Sequence, residues 1–442
     1  MLKSGLSEAI LHLANTTVSL SRFLMDVPPP DVLWAFIQLL LQGCNAATAE
    51  YWWRHTGHLF KRLLEQSACS LRLQREFMVF YIETIIPMLG PRPSEYREKA
   101  IRPNSWISDD HTPVEFIYVI DGDDWRPSIR FAMEPLSPVD GAPLPPQAWK
   151  RTLDTMSSKY SIMKGYDTTW PDICYNTLID VPQNESQTQH STQFFLGCDF
   201  TPSGMVGKFY YIPKLRAASD KCSEETLVTN CLRSMAIPSM ESSWSLVTQY
   251  LDSLPPTTPR PTLEMVAVDS VSPSKNRIKI YYRSHENTIE AIIQHLTLGG
   301  TLNDPTTLQT ISIFRTLSGY LFPGASTTDA LMSKRNWPGF LMYFELTPKS
   351  QVPFPKVYIP VRQYCANDAQ IADAVGKYLR STGNTTAGDR YAAEFQRLMK
   401  HRNLDSRTGI HTYIACCGRP SGPQLSMYLS PEVFAPERRD SV

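Results

Sequence analysis

No CxxC pair and no CxxC…HxxxH spacing occurs among the nine cysteines. An odd count without a framework excludes a disulfide scaffold and offers no zinc ligand set; it fits reduced, intracellular thiols. The adjacent Cys416 and Cys417 read as small buried apolar residues. Net charge is also missing, since 43 basic residues balance 43 acidic ones. A nucleic-acid binder would show a basic excess, so no nucleic-acid partner is expected, although a small local cationic site is compatible with zero net charge. Long apolar runs are lacking as well. The longest, Val32 to Leu41, is interrupted by Gln38 and is too short to cross a bilayer, so no membrane span is expected. The first residues carry one early lysine and an apolar patch broken by His12 and Asn15. That is a poor signal peptide, and the cytoplasm is the expected location. What the chain does have is 442 residues, 42% hydrophobic and only 19% charged, which excludes disorder and supplies a large core.

Residues 1–100 read as a helical segment. From Tyr51 to Leu89, apolar residues recur at helical spacing, and Leu89-Gly90-Pro91 ends the pattern. One unit then repeats through 101–435: two β-rich runs around a turn cluster. The runs are Val114–Ile120 with Ser128–Met133, Gln193–Phe200 with Val206–Ile212, Leu263–Val268 with Arg277–Tyr282, Phe340–Leu346 with Lys356–Val361, and Thr412–Cys416 with Leu425–Leu429. Each pair predicts a β-hairpin. Helical patterns at 146–163, 223–254, 285–318 and 367–400 separate them. Ten antiparallel strands leave edges unless they close, so a single-domain α/β barrel with an outer ring of helices is expected. Ten strands enclose more space than side chains of an eight-stranded core fill, which predicts a ligand chamber.

The second strands carry the chemistry. With period-two facing, Lys208 shares a face with Tyr210, Arg277 with Lys279 and Tyr281, and Lys356 with Tyr358. Arg130 in the first hairpin and Arg419 and Tyr428 in the fifth extend the series, with Arg126 as an alternative to Arg130. A solvated strand face accounts for one K-x-Y. Three aligned copies with apolar residues on the opposite face (Phe209, Ile278, Ile280, Val357, Ile359) place the cations inside. Buried cations without matching carboxylates require an anion, and diphosphate is the natural one. Tyr210, Tyr281, Tyr358, Tyr413 and Tyr428 form the expected aromatic belt, able to stabilise a carbocation and exclude water. Glu115, between Val114 and Phe116, is the candidate acceptor for an N–H and the candidate base.

An ordered set of short motifs runs through nearly the whole chain. It comprises Trp52-Trp53 with Thr56-Gly57, Thr112-Pro113-Val114-Glu115-Phe116, Gly197-Cys198-Asp199-Phe200 before Lys208-x-Tyr210, and Arg277-x-Lys279-x-Tyr281. Pro355-Lys356-Val357-Tyr358, His411-Thr412-Tyr413 and Ser426-Met427-Tyr428-Leu429 complete it. With these the chain resembles the fungal indole prenyltransferases of the dimethylallyltryptophan synthase family, which adopt the αββα (ABBA) barrel. The resemblance implies transfer of a dimethylallyl group from dimethylallyl diphosphate to an indole-containing acceptor by electrophilic aromatic substitution. Arg130, Lys208, Arg277, Lys279, Lys356 and Arg419 would hold the diphosphate. The five tyrosines would shield the cation. Glu115 would take the indole N–H, the backbone near Ile107 would line the acceptor pocket, and Lys208 would help relay a proton. Where the family often shows Ser-x-Asn after the Glu-Phe pair, this chain has Ile117-Tyr118-Val119.

No metal or other cofactor is expected. The aspartate-rich DDxxD motif of metal-dependent prenyl transfer does not occur: Asp109-Asp110 runs into His-Thr-Pro, and Asp123-Asp124, read as a hairpin turn, into Trp-Arg-Pro. Tyrosine or a polycyclic phenol is the alternative acceptor, and a carrier for an aromatic ligand is the alternative to catalysis. The assembly is expected to be a monomer or homodimer.

Overall fold

The computed structural model describes residues 46–122, 126–145, 165–180, 192–333 and 339–438, with isolated positions between and before them. The expected turn at Asp123-Asp124, most of the helical pattern at 146–163, and nearly all of the first 45 residues lie outside the described residues.

Five antiparallel hairpins form in sequence order. They are β1 (Val114–Asp121) with β2 (Ser128–Met133), β3 (Phe194–Thr201) with β4 (Gly204–Tyr211), β5 (Thr262–Asp269) with β6 (Ile278–Arg283), β7 (Leu341–Leu346) with β8 (Phe354–Ile359), and β9 (His411–Arg419) with β10 (Gly422–Leu429). Each hairpin pairs with the next, and β10 returns to β1, so the ten strands close into a barrel with no free edge. Strand ends shift from expectation by a few residues. Arg277 lies one position before β6, because the polar Asn276 side chain accepts the Arg277 N–H and bonds the preceding loop instead of the ladder.

Most helices occupy the places expected, but in shorter pieces; those at Thr169–Leu178, Lys214–Asp220 and Val361–Tyr364 lie outside the expected patterns. The Tyr51–Leu89 pattern divides into α1 (Ala47–Trp52), α2 (His58–Gln66) and α3 (Leu71–Phe80). A π-helical turn, Trp53–Gly57, joins α1 to α2. Gly57 is required there, because a Cβ would lie 2.6 Å from the Trp53 ring. α4 (Pro93–Glu98) and α5 (Thr169–Leu178) follow. Next come α6 (Lys214–Asp220), α7 (Glu224–Met235), α8 (Pro238–Ser253), α9 (Ile289–Leu296) and α10 (Pro305–Leu321). The 223–254 pattern splits because Ala236 turns left-handed and Pro238 can only start a new helix. The last helices are the short α11 (Val361–Tyr364), then α12 (Asp368–Ser381) and α13 (Thr385–Leu398).

Period two divides every strand between two environments. Outward residues Phe116, Phe131, Phe200, Phe209, Ile278, Ile280, Val357 and Ile359 pack under the helices in one continuous core. Phe60 of α2 stacks on Phe116 at 5.7 Å and meets Phe200 at 4.9 Å. The closest helix contact is at β9, where the Gly418 N–H donates to Thr310 of α10 at 2.8 Å. Inward residues form a separate, small cluster of Ala267, Tyr281, Leu341, Tyr343, Tyr358 and Ala415. The chamber therefore has a lining of its own, distinct from the core that stabilises the barrel.

Candidate active site

The inward faces are layered along the barrel. On β6 the order is Arg277 at the entry, then Lys279, Tyr281 and Arg283; on β8 it is Lys356, then Tyr358. Cations gather toward one end and tyrosines occupy the middle. All six expected cations (Arg130, Lys208, Arg277, Lys279, Lys356, Arg419) line one cavity, with Tyr210, Tyr281, Tyr358 and Tyr428 beside them. Arg126 is exposed outside the chamber, so Arg130 is the inward arginine of the first hairpin.

The cations are not without carboxylates, which corrects the sequence reading. Lys208 Nζ lies 2.8 Å from Asp269 and 3.2 Å from Asp199. Arg130 Nε is 3.3 Å from Asp199, and Lys279 Nζ is 3.4 Å from Asp269. Arg277 bridges Asp269 at 3.1 Å and Glu345 at 3.4 Å. Arg419 meets Glu345 with both terminal nitrogens, at 3.1 and 3.2 Å, and donates to the Tyr343 hydroxyl at 3.2 Å. Lys356 has no carboxylate partner of this kind; it donates to Gln424 at 3.0 Å and Ser426 at 2.9 Å.

Six cations thus face three carboxylates. Burial opposes ionisation of Asp199, Asp269 and Glu345, but the neighbouring cations prevail: all three are held below the usual carboxylate range, Glu345 at about 2. The surplus falls on the lysines. Burial first, then Arg277, pushes Lys279 well below an ordinary lysine. Burial, with Arg130 and Arg419 nearby, lowers Lys356 to about 8. Nε of Arg130 and Oδ1 of Asp199 are buried without a hydrogen-bond partner among the described residues. With six cations facing three carboxylates the cage is short of negative charge, and an anion relieves it.

The tyrosines pack in tilted and edge-on pairs. Tyr281 lies 6.2 Å from Tyr210 and 5.8 Å from Tyr358, and Tyr358 lies 5.5 Å from Tyr428 and 6.3 Å from Tyr413. Tyr413 stands past the others, at the end away from the cations, and is not among the cavity's lining residues. Tyr343 joins the belt 5.1 Å from Tyr281. The sequence reading missed Tyr343, Asp199, Asp269, Glu345, Gln424 and Ser426. The same period-two facing, carried to the first strands and along β10, would have found them.

Glu115 sits at the tyrosine end of β1. It is buried, and Thr412 donates to its carboxylate at 2.8 Å. Burial raises its carboxyl to about 7, with Thr412 and the charge of Arg362 holding it from going further. Such a group exchanges protons near neutrality, as a general base must. Ile117 and Val119, the next inward residues of β1, join Ala132 and Tyr428 in an apolar wall. Ile107 is buried in the loop before β1, where its N–H donates to Ser105; it does not reach the cavity lined by the cations.

The sequence profile described as tryptophan dimethylallyltransferase matches residues 48–394. The chain belongs to the tryptophan dimethylallyltransferase family. It is a prenyltransferase, and the ABBA barrel expected from its repeats is the fold observed. Among the family's members, the 4-O-dimethylallyl-L-tyrosine synthase of Claviceps purpurea is 30% identical over 391 residues, covering 86% of this chain and 87% of that protein. The 7-dimethylallyltryptophan synthase of Aspergillus fumigatus is 27% identical over 434 residues, covering 93% and 90%. In fold, the chain is similar to AnaPT of Neosartorya fischeri, with a TM-score of 0.75 and 21% identity over 87% of this chain and 94% of the other. NotF, solved with brevianamide F and DMSPP, gives 0.71 and 24% over 87% and 95%.

Proposed function

We propose that this family member transfers a dimethylallyl group from dimethylallyl diphosphate to an indole-containing acceptor, without a metal ion. The observation that carries the reading is that the cation cage and the tyrosine belt line one cavity, with Glu115 on the same inward face of β1 as Ile117, which also lines it. In the reaction, the bond between C1 of the donor and its diphosphate oxygen breaks, and both electrons leave with the diphosphate. Arg130, Lys208, Arg277, Lys279, Lys356 and Arg419 stabilise that leaving charge, the kind of electrostatic effect that is usually the largest in a site. Tyr210, Tyr281, Tyr343, Tyr358 and Tyr428 present ring faces to the allylic cation and keep water from it. An electron-rich ring carbon forms the new bond, and the arenium ion loses its proton to a base. Glu115 accepts the indole N–H, which concentrates electron density in the ring. Lys208 passes the released proton onward, a role supported by its links to two carboxylates.

A diphosphate ester carries about two to three negative charges near neutrality, close to the excess of six cations over three carboxylates. The side chains therefore supply the neutralising charge that a metal ion would otherwise provide. A phenolic acceptor is the second reading. It is favoured by the similarity to a tyrosine-modifying enzyme, and Glu115 would accept a phenolic O–H as readily as an N–H.

The test is Glu115→Gln. It keeps the shape and loses the base, so turnover of dimethylallyl diphosphate with L-tryptophan or a tryptophan-containing cyclic dipeptide should fall by about 10²- to 10⁴-fold. Pyrophosphate affinity, measured by calorimetry, should stay unchanged. Full turnover by this variant would remove Glu115 from the mechanism.

A further inference from the structure

Glu134 is a second buried carboxylate at the tyrosine end of the barrel, and the reaction above does not use it. It follows β2, two positions past the inward Ala132, and its side chain is fully buried. Its backbone N–H donates at 2.9 Å to the carbonyl of Pro113, two residues before Glu115. Its carboxylate gathers three donors from two distant segments. Ser105 Oγ donates to Oε2 at 2.8 Å and the Trp106 N–H to the same oxygen at 3.0 Å, while the Thr192 hydroxyl donates to Oε1. Ser105 Oγ in turn accepts the Ile107 N–H at 3.3 Å.

Burial raises this carboxyl above its ordinary range, and the three donors, with His111 nearby, pull it back. Burying such a group is costly unless its oxygens are bonded, and both are. What the bonds secure is residues 105–107, which belong to no helix or strand. This piece of chain carries Trp106, whose side chain is 70% exposed, beside the buried Ile107. Two residues further on, Asp109 pairs with Arg362, whose guanidinium lies over the Tyr413 ring. Residues 105–109 thus run along the end of the barrel where Tyr413 and Glu115 stand, and Glu134 ties them to the start of β1.

We propose that Glu134 is a positioning residue for the acceptor: it fixes residues 105–107 against β1 and Thr192, and so shapes the rim past which the acceptor reaches Glu115. It touches no reacting atom. Its role is geometric, since it supplies oxygens at two places. The inference rests on the prenyl-transfer reading above, and adds to it a residue that governs acceptor binding and leaves the diphosphate cage alone.

The test is steady-state kinetics with dimethylallyl diphosphate and whichever of L-tryptophan, L-tyrosine and a tryptophan-containing cyclic dipeptide the wild-type enzyme prenylates. Glu134→Met keeps the bulk and removes both oxygens. It should raise the acceptor KM by about 10- to 100-fold, the range of a lost hydrogen bond to a charged group. Donor KM, pyrophosphate affinity and kcat at saturating acceptor should stay close to wild type. Glu134→Gln keeps an oxygen for Ser105 and Trp106 and can donate to the Thr192 hydroxyl, so it should restore most of the acceptor affinity. Ser105→Ala cuts only the link to Ile107; it should raise the acceptor KM by a smaller factor, and should add little to Glu134→Met. If Glu134→Met no longer binds pyrophosphate, its barrel is lost and Ser105→Ala decides alone. An unchanged acceptor KM in the folded variants, or donor and acceptor KM rising together, would overturn the positioning role and leave prenyl transfer standing. If the wild-type enzyme prenylates none of the three acceptors while pyrophosphate still binds, the prenyl-transfer reading falls, and this inference with it.

Discussion

At the scale of single residues, the chamber works by holding ionisable groups away from their ordinary protonation. Glu115 is an acid raised to about 7 by burial, so its anion, the basic form, predominates only above that pH. Turnover should therefore climb with pH through a limb centred near 7, and Glu115→Gln should flatten the limb as well as lower the rate; a pH–rate profile of both proteins reads this directly. Lys356 shows the opposite case. Burial and the neighbouring arginines hold it at about 8, so much of it is neutral in mildly alkaline solution. A bound diphosphate favours the charged form, so binding takes up a proton, and donor affinity should weaken as pH rises above about 8. Calorimetry of dimethylallyl diphosphate binding in two buffers of different ionisation enthalpy measures the uptake. Lys356→Met should bind more weakly and lose the part of the uptake that this lysine supplies.

At the scale of elements, the start of β9 is the piece on which the acceptor end depends. Thr412, which holds Glu115, follows His411, and His411 is locked on both sides. Its Nδ1 pairs with Asp368 at 2.8 Å and its Nε2 with the Tyr391 hydroxyl at 2.7 Å. Asp368 also accepts the N–H groups of Ile410 and His411, and it pairs with Arg402. Arg402 in turn binds Glu432 at 2.7 Å. Helices α12 and α13 and the chain after β10 thus meet at one buried ion network. Arg402→Met would remove the arginine shared by two buried carboxylates, leaving Asp368 with His411 and Glu432 with Arg407 and His401, a loss of about 3 kcal/mol in denaturant unfolding. Turnover should fall with it, since Thr412 sits next to the released strand. The hairpins were legible in the sequence because period two and turn residues act over a few positions. Lys208, Lys279 and Lys356 were legible because an apolar opposite face fixed their direction. Asp199, Asp269 and Glu345 needed that facing carried to the first strands, where pairings such as Lys279 with Glu345 bring them to the cations.

At the scale of the whole molecule, closure of ten strands turns five repeats into one electrostatic container. The cage draws from all five hairpins: Arg130 from the first, Lys208 from the second, Arg277 and Lys279 from the third, Lys356 from the fourth and Arg419 from the fifth. No single repeat carries enough charge to neutralise a diphosphate, as the proposed reaction requires; the ring of five does. The central claim is that side-chain charge alone ionises the donor. The direct measurement is product formation from dimethylallyl diphosphate and L-tryptophan or L-tyrosine in excess EDTA, followed by mass detection, with a parallel reaction in magnesium. The account predicts a prenylated aromatic product at closely similar rates in both. Turnover abolished by EDTA and restored by magnesium would contradict it.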